Sequence, residues 1–243
     1  MNGSVQVWIA VAFMAIVHLL AGHLRFLSYK PRSRWLSAGG GIAVAYAFLH
    51  LLPELHGHHR ILRQANAPAF SIVQHHAYMV ALLGLCAFYG LEHWAKQSRA
   101  KNREPGDATT PGVFWISVGA FTLYNALLVY LLAHEGVRDG HELALFTVAV
   151  AVHFAVNDHG LYEHHKHLYA YYGRWLLAGG AVLGGVAAHW LDLPDPVMAG
   201  MMAFLIGAIV LNVLKEELPD DRESRFGAFT LGALAYAGLL LAI

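Results

Sequence analysis

Residues 143–162 read LALFTVAVAVHFAVNDHGLY, a stretch that is almost entirely apolar until its last third. A helix crosses the hydrocarbon of a bilayer, about 30 Å thick, with roughly 20 residues, because each residue rises about 1.5 Å. Inside lipid every backbone polar group must find its hydrogen bond within the protein, so a segment this long and apolar favours a helix. Residues 143–162 are therefore predicted to span a membrane.

The rest of the chain repeats this pattern. Of its 243 residues, 57% are hydrophobic and 13% are charged, which is too apolar a balance for a soluble domain of this size to bury. We predict an all-α polytopic membrane helix bundle, formed as a single transmembrane domain by residues 1–243. Its eight spans are predicted at Val5–Phe26, Trp35–Leu55, Phe70–Trp94, Gly112–Ala133, Leu143–Tyr162, Tyr169–Leu191, Pro196–Leu214 and Phe226–Ile243.

Lysine and arginine are distributed unequally between the connections. With eight spans, 13 of the 16 fall after spans one, three, five and seven, and 3 fall on the other side. Because basic residues concentrate in cytoplasmic loops, both termini are predicted to lie outside. The longest connection on the basic side, residues 96–111, contains Pro105-Gly106-Asp107 and is predicted to be a flexible cytoplasmic loop.

Two short stretches at helix ends are loosely alike, Phe48–Glu54 in span two and Asn212–Pro219 in span seven. In the orientation above one ends outside and the other inside, as an inverted repeat of spans 1–3 and 6–8 requires. Glycines in span two (residues 39–41) and span six (residues 179–180 and 184–185) predict close approach of neighbouring helices. Ordinary helix packing would explain these glycines equally well.

Polar side chains interrupt the spans at few positions. His153 and Asn157 are four residues apart, on one face of span five, and Asp158 follows directly. Ionisable residues are costly in lipid and by default face the bundle interior with a functional role. Imidazole nitrogens and carboxylate or amide oxygens suit zinc, iron or manganese, so we predict four metal ligands: His153, Asn157, Asp158 and, in span four, Asn125. The alternative is that these side chains form hydrogen bonds between helices and bind no metal.

The chain contains 17 histidines, several of them in short tracts at span ends. Such tracts are a compositional signal of metal binding, although exposed imidazoles also bind metals weakly and casually. We predict that an entrance or exit of a metal path is lined by His50 and Glu54 outside and by His164, His165 and His167 inside. Further tracts lie outside, at His56, His58, His59, His75 and His76. The single cysteine, Cys86, is predicted to be a small core residue of span three.

These features together resemble the ZIP family of divalent-metal transporters. The likeness is carried by Phe48–Glu54 (FLHLLPE) at the end of span two, by Leu91-Glu92-His93 at the end of span three, and by residues 199–219 of span seven. The resemblance implies eight spans, both termini outside, an inverted repeat of the first and last three helices, and a metal path between spans four and five. It also implies that zinc, iron or a related cation moves toward the cytoplasm.

The predicted transport site departs from the family's pattern. The family has His-Asn and then an acid in span four, where this chain reads Tyr124-Asn125 and lacks the acid. The family has His-Glu-x-Pro in span five, where this chain reads His153-Phe154-Ala155-Val156 and continues with Asn157-Asp158. Residues 176–188 of span six contain no acid. The resemblance therefore implies either a reduced single metal site or a fold that is kept while transport is lost.

The leading hypothesis is a ZIP-like divalent metal permease with a reduced site, and not an enzyme. Its substrate would be zinc first, then iron, manganese or cadmium, and we expect no organic cofactor and no nucleic-acid partner. The short loops suit the inner or plasma membrane, and a homodimer is compatible with the sequence. Two alternatives stay open. One is a transport-inactive protein of the same fold that acts as sensor, regulator or partner; the other is a membrane-embedded zinc hydrolase using His134, Glu135, His141 and Glu142.

Overall fold

The computed structural model describes residues 3–21, 34–64, 77–101, 109–135, 140–217 and 225–241. Within these ranges almost every residue is helical and no strand occurs. Two of the helical stretches contain a π-helical turn, here named the first and second π segment. In chain order the elements are α1 (Gly3–Ala21), α2 (Arg34–Tyr46), the first π segment (Ala47–Leu51), α3 (Leu52–Gln64), α4 (Ala77–Lys101), α5 (Pro111–Glu135), α6 (Gly140–Leu168), the second π segment (Tyr169–Gly173), α7 (Arg174–Trp190), α8 (Asp195–Glu217) and α9 (Phe226–Leu241).

Several helical stretches are long and apolar enough to cross a membrane. Large apolar side chains lie exposed along them, for example Trp8, Leu123 and Leu183, as expected for surfaces that face lipid. The chain is therefore a multi-pass α-helical membrane protein, whereas the number of eight crossings and the outside position of the termini stay predictions. The five qualifying stretches are Ser4–Ala21, Ser37–Leu62, Pro111–His134, Leu143–Trp190 and Asp195–Leu214, and Phe226–Leu241 is a shorter apolar helix.

The stretch Leu143–Trp190 covers two of the predicted spans. Its 48 residues would extend about 72 Å as one straight helix, more than twice the thickness of the hydrocarbon. The helix breaks at Lys166, whose φ of 42° and ψ of −108° are not helical. A positive φ is uncommon for a residue other than glycine. The break separates the part of α6 that corresponds to span five from the helix that corresponds to span six.

The chain divides into two compact units. The first unit combines Met1–Tyr29 with Gly90–Leu191, and in it α5 packs along α7 while α1 packs along both α6 and α7. The second unit combines Lys30–Tyr89 with Asp192–Ile243, and in it α2 packs along α9 and α3 packs along α8. Helix α4 contributes its second half to the first unit and its first half to the second.

Close helix packing in both units depends on glycine. A Cβ atom at Gly180 of α7 would lie 2.7 Å from the carbonyl oxygen of Thr122 in α5, and one at Gly184 would collide with the carbonyl of Ala126. Gly41 of α2 has the same relation to the backbone of α9. The prediction that glycines of spans two and six permit close helix approach is confirmed at these positions.

Helix α4 buries only one of its faces. Val80, Gly84 and Phe88, spaced four residues apart, are buried, whereas Cys86 is exposed. Since Cys86 lies about 200° around the helix from Gly84, it points away from the packed face. The prediction that Cys86 is a core residue is wrong.

The predicted cytoplasmic loop, residues 96–111, is described at its two ends. Helix α4 continues to Lys101, and residues 102–108 lie outside the described residues. At the other end the backbone N–H of Thr109 donates to the carbonyl of His164 (3.2 Å), and that of Thr110 donates to Oγ of Ser98 (3.2 Å). These bonds join the start of α5 to α4 and to the end of α6.

Candidate functional site

Buried polar side chains are concentrated in the first unit, where α1, α5, α6 and α7 meet. Among the residues that the structure describes, Asp158 of α6 is the only carboxylate in the buried class, with 1% of its side chain exposed. Burying an ionised carboxylate in a helix bundle costs free energy unless it is paired and hydrogen-bonded. The side chains that pair with Asp158 therefore locate the candidate site in this unit.

The partner of Asp158 is His18, in the last turn of α1. Oδ2 of Asp158 lies 2.8 Å from Nδ1 of His18, and Nε2 of His18 lies 3.1 Å from Nδ2 of Asn125 in α5. With the carboxylate as acceptor, Nδ1 of His18 donates to Asp158 and Nε2 accepts from the Asn125 amide. Three helices thus meet in one chain of hydrogen bonds, named here the His18 network.

A second set of polar groups surrounds His153. The hydroxyl of Tyr124 and the amide nitrogen of Asn157 lie 2.7 Å and 3.0 Å from Nε2 of His153. Either group can donate to the single lone pair of this nitrogen when the imidazole carries its proton on Nδ1. Asn157 reaches His153 from one turn further along α6, as the predicted common helix face requires. This set is named the His153 network.

The ring of Phe154 contacts both networks. Its centroid lies 4.6 Å from that of His18 and 6.3 Å from that of His153, and its side chain is fully buried. The four predicted metal ligands are therefore divided. Asn125 and Asp158 belong to the His18 network, whereas His153 and Asn157 belong to the other.

Two buried oxygen atoms of these residues make no well-aligned hydrogen bond, Oδ1 of Asp158 and Oδ1 of Asn125. The hydroxyl of Tyr169 lies beside the carboxylate of Asp158 and interacts with it. Buried polar atoms in proteins are nearly always satisfied, so unsatisfied oxygens point to a water or an ion as their missing partner.

Tyr169 owes its position to the second π segment. This residue opens the segment and is fully buried, and its ring packs over the backbone of Gly173. A Cβ at Gly173 would lie 2.7 Å from Cδ2 of the tyrosine ring, so only glycine leaves room for this arrangement. Isolated π turns are rare and are found frequently at functional sites.

The predicted outer residues lie in the second unit. Nε2 of His50 is 3.8 Å from Oε2 of Glu54, and both side chains are partly exposed. The ring of His50 also stacks on Tyr46 at 5.2 Å. One turn beyond Glu54, His58 is buried and neither of its ring nitrogens has a hydrogen-bond partner. His75 and His76 lie outside the described residues.

The three predicted inner histidines have three different partners. Nε2 of His164 lies 3.2 Å from Oε1 of Glu92 in α4, and Nδ1 of His165 lies 2.6 Å from Oγ1 of Thr109. His167 stacks on Tyr171 with 5.9 Å between ring centroids. The rings of His164 and His165 also contact each other with 6.4 Å between centroids, but among the described residues the three imidazoles do not converge as metal ligands would.

A conventional metal centre is absent from the part of the chain that the structure describes. No group of three or more histidine, cysteine, aspartate or glutamate side chains converges there as metal ligands would. Of the residues considered for a zinc hydrolase, His134 stacks on Tyr130 at 5.5 Å. The side chains of Glu135, His141 and Glu142 lie outside those described.

His18 and Tyr169 were not predicted as site residues. His18 carried a usable signal, because an ionisable side chain in the middle of an apolar span is itself a functional indication. Tyr169 carried none, because its role depends on a π turn and on the absence of a side chain at Gly173. No protein-family model, curated protein or solved structure matches the chain. The likeness to ZIP transporters therefore rests on the short sequence motifs alone.

Proposed function

We propose that the chain is a ZIP-like permease for a divalent cation, and that the cation binds at Asp158 beside His18 and Asn125. The observation that carries the proposal is the fully buried carboxylate of Asp158, which lies between His18 of α1 and Tyr169 of the second π segment. An intramembrane charge kept in this way marks ion pathways in membrane proteins.

The residues around Asp158 have complementary tasks. His18 donates to one oxygen of the carboxylate and fixes its orientation. Asn125 donates to the other nitrogen of His18, so the ring is held at both of its nitrogen atoms. Because α5 and α6 carry these groups, the binding place agrees with the path between spans four and five that the ZIP resemblance implies.

The site differs from the one expected from the sequence in the role of His153. Nε2 of this imidazole is already engaged by Tyr124 and Asn157, so it is not a ready metal ligand. We assign the His153 network to the support of α5 against α6. The roles of His50 and Glu54 in entry, and of His164, His165 and His167 in exit, stay predictions.

The test is cation uptake into proteoliposomes that contain the purified protein, scanned with zinc, cadmium, iron(II) and manganese. Asp158→Asn removes the charge and keeps an oxygen that accepts from His18. Its matched control is Glu163→Gln, five residues further along α6, which removes a partly exposed carboxylate paired with Lys166 at 3.1 Å. We expect Asp158→Asn to lower the initial uptake rate by about tenfold or more. Glu163→Gln should remain near the parent.

A transport-inactive sensor or partner is the second candidate function. It is favoured by the engagement of both nitrogens of His18 within the protein and by the lack of three converging ligands among the described residues. Cation binding without uptake in a folded protein would support this candidate and reject the permease. Uptake that Asp158→Asn abolishes would support the permease and reject the inactive protein.

A further inference from the structure

We infer that the first unit binds an anionic phospholipid at the end where α5 and α7 begin, with the lipid phosphate at Arg174. The residues concerned are Trp115, Tyr172, Arg174 and Trp175, named here the Arg174 patch. Lipid binding at this patch goes beyond the proposed function and does not depend on cation transport.

Helices α5 and α7 run parallel to each other. Gly180 of α7 packs on Thr122 of α5, and four residues further along both helices Gly184 packs on Ala126. The first turns of α5 and α7 therefore lie at the same end of the unit. This arrangement brings Trp115, near the start of α5, into contact with the second π segment.

Exposed aromatic side chains mark this end. Trp115, Tyr172 and Trp175 are 51%, 51% and 58% exposed, and the first two rings lie 5.8 Å apart between centroids. At the other end of α7, Trp190 is 78% exposed and follows Tyr172 by 18 residues. That separation is about 27 Å along a helix, close to the thickness of the hydrocarbon. Because tryptophan and tyrosine are enriched at both headgroup levels of a bilayer, the Arg174 patch is placed at one of these levels.

The guanidinium group of Arg174 has no anionic partner in the part of the chain that the structure describes. It lies over the ring of Trp175, 5.4 Å from the centroid, and its Nε is buried without a hydrogen bond. Lys166, a basic residue close by in the sequence, is instead paired with Glu163 at 3.1 Å. A partly buried cation with an unused donor, at the level of the lipid headgroups, is suited to a phosphate.

The chemistry of the patch favours a lipid with a net negative charge. The planar guanidinium group can donate two parallel N–H bonds to the oxygens of a phosphodiester. A zwitterionic lipid would also bring its ammonium group close to Arg174, where no described carboxylate forms an ion pair that could receive it. An anionic headgroup brings no second cation. The exposed rings of Trp115 and Trp175 can pack against the glycerol and the upper acyl chains.

The test is native mass spectrometry of the full-length protein in detergent, with phosphatidylglycerol and phosphatidylcholine added in equal amounts. We expect the parent to retain phosphatidylglycerol about fivefold more than phosphatidylcholine, the effect of one basic residue on an anionic headgroup. Arg174→Gln should remove this preference. Its matched control is Lys101→Gln, which removes an exposed cation from the end of α4 and should keep the preference.

Equal retention of the two lipids by the parent overturns the inference, whichever variants fold. A preference that Arg174→Gln leaves unchanged also overturns it, and so does one that Lys101→Gln removes equally, because the lipid would then respond only to overall charge. If Arg174→Gln does not fold, Arg174→Lys takes its place. It keeps the charge but loses the paired N–H donors, so the preference should fall about twofold, and an unreduced preference would reject the phosphate contact.

Discussion

Nδ1 of His18 lies 2.8 Å from Oδ2 of Asp158, although 140 residues separate the two in the chain. The bond joins α1 to α6 inside the first unit, and Asn125 extends it to α5. A single buried hydrogen bond therefore connects the candidate site to the packing of three helices. Stability and function are expected to respond together when either partner is changed.

His18→Ala is expected to destabilise the protein by about 3 kcal/mol, because it leaves the carboxylate of Asp158 buried without its partner. The free energy of unfolding can be followed in mixed detergent micelles by tryptophan fluorescence. The double variant His18→Ala with Asp158→Asn should recover much of the loss, since no charge is then stranded. Equal stability of His18→Ala and the parent would show that the pair is not formed.

His153→Ala is expected to reduce cation uptake by only about two- to threefold, the effect of a lost hydrogen bond between helices. The imidazole is engaged by Tyr124 and Asn157, so its removal should not delete a ligand. Initial uptake rates, normalised to the reconstituted protein, provide the measurement beside Asp158→Asn. A loss of uptake as large as that of Asp158→Asn would show that the cation binds at the His153 network.

Gly184→Ala is expected to cost about 2 kcal/mol of stability, because its new Cβ would collide with the carbonyl of Ala126 and push α7 from α5. Gly179→Ala in the same helix is the control, since a Cβ there meets open space. Its effect should be neutral or slightly stabilising. Similar losses in both variants, measured by unfolding in detergent, would contradict the described packing of α5 on α7.

Gly173→Ala is expected to lower the free energy of unfolding by about 2 kcal/mol, because the added methyl group would lie 2.7 Å from Cδ2 of the Tyr169 ring and displace it. Replacing Tyr169 by leucine removes the ring, so the same glycine substitution should then cost less. Equal losses in the two backgrounds would mean that Gly173 acts independently of Tyr169. Unfolding of the four proteins in detergent gives the double-mutant cycle.

The predicted orientation can be tested with single cysteines in a Cys86→Ser background. A cysteine at Gln97, after span three, should be labelled by a membrane-impermeant maleimide only after the cells are opened. A cysteine at Leu193, between spans six and seven, should be labelled in intact cells. Labelling of both from the same side would contradict an odd number of crossings between them and so the eight-span arrangement.

The sequence was informative wherever the cause is local. An apolar run of about 20 residues must be helical in lipid, and residues four apart on a helix must meet, as His153 and Asn157 do. Glycine pairs in span six predicted a close neighbour, and Gly180 and Gly184 have one in α5. These outcomes depend on helix geometry and not on which helices are partners.

The other features of the site depend on contacts between helices, which the spacing of residues along the chain does not predict. Nothing in span one indicates that His18 faces Asp158, because the pairing is fixed by how α1 packs on α6. Cys86 was assigned to the core because the whole of span three is apolar, and in lipid an apolar side chain is equally stable on either face. The oxygen atoms left without partners follow from exact side-chain geometry, which composition and spacing cannot supply.

The second π segment marks a place where sequences related to this one can differ in length by one residue. A π turn holds one residue more than an α turn, so deleting one residue of 169–173 would leave a regular α turn. The shorter α turn rotates the helix by nearly the same angle as the longer π turn, so Gly180 and Gly184 would still face α5. Homologues with a one-residue gap in these five positions should therefore keep the small residues of α7 and lose only the packing of Tyr169 over Gly173.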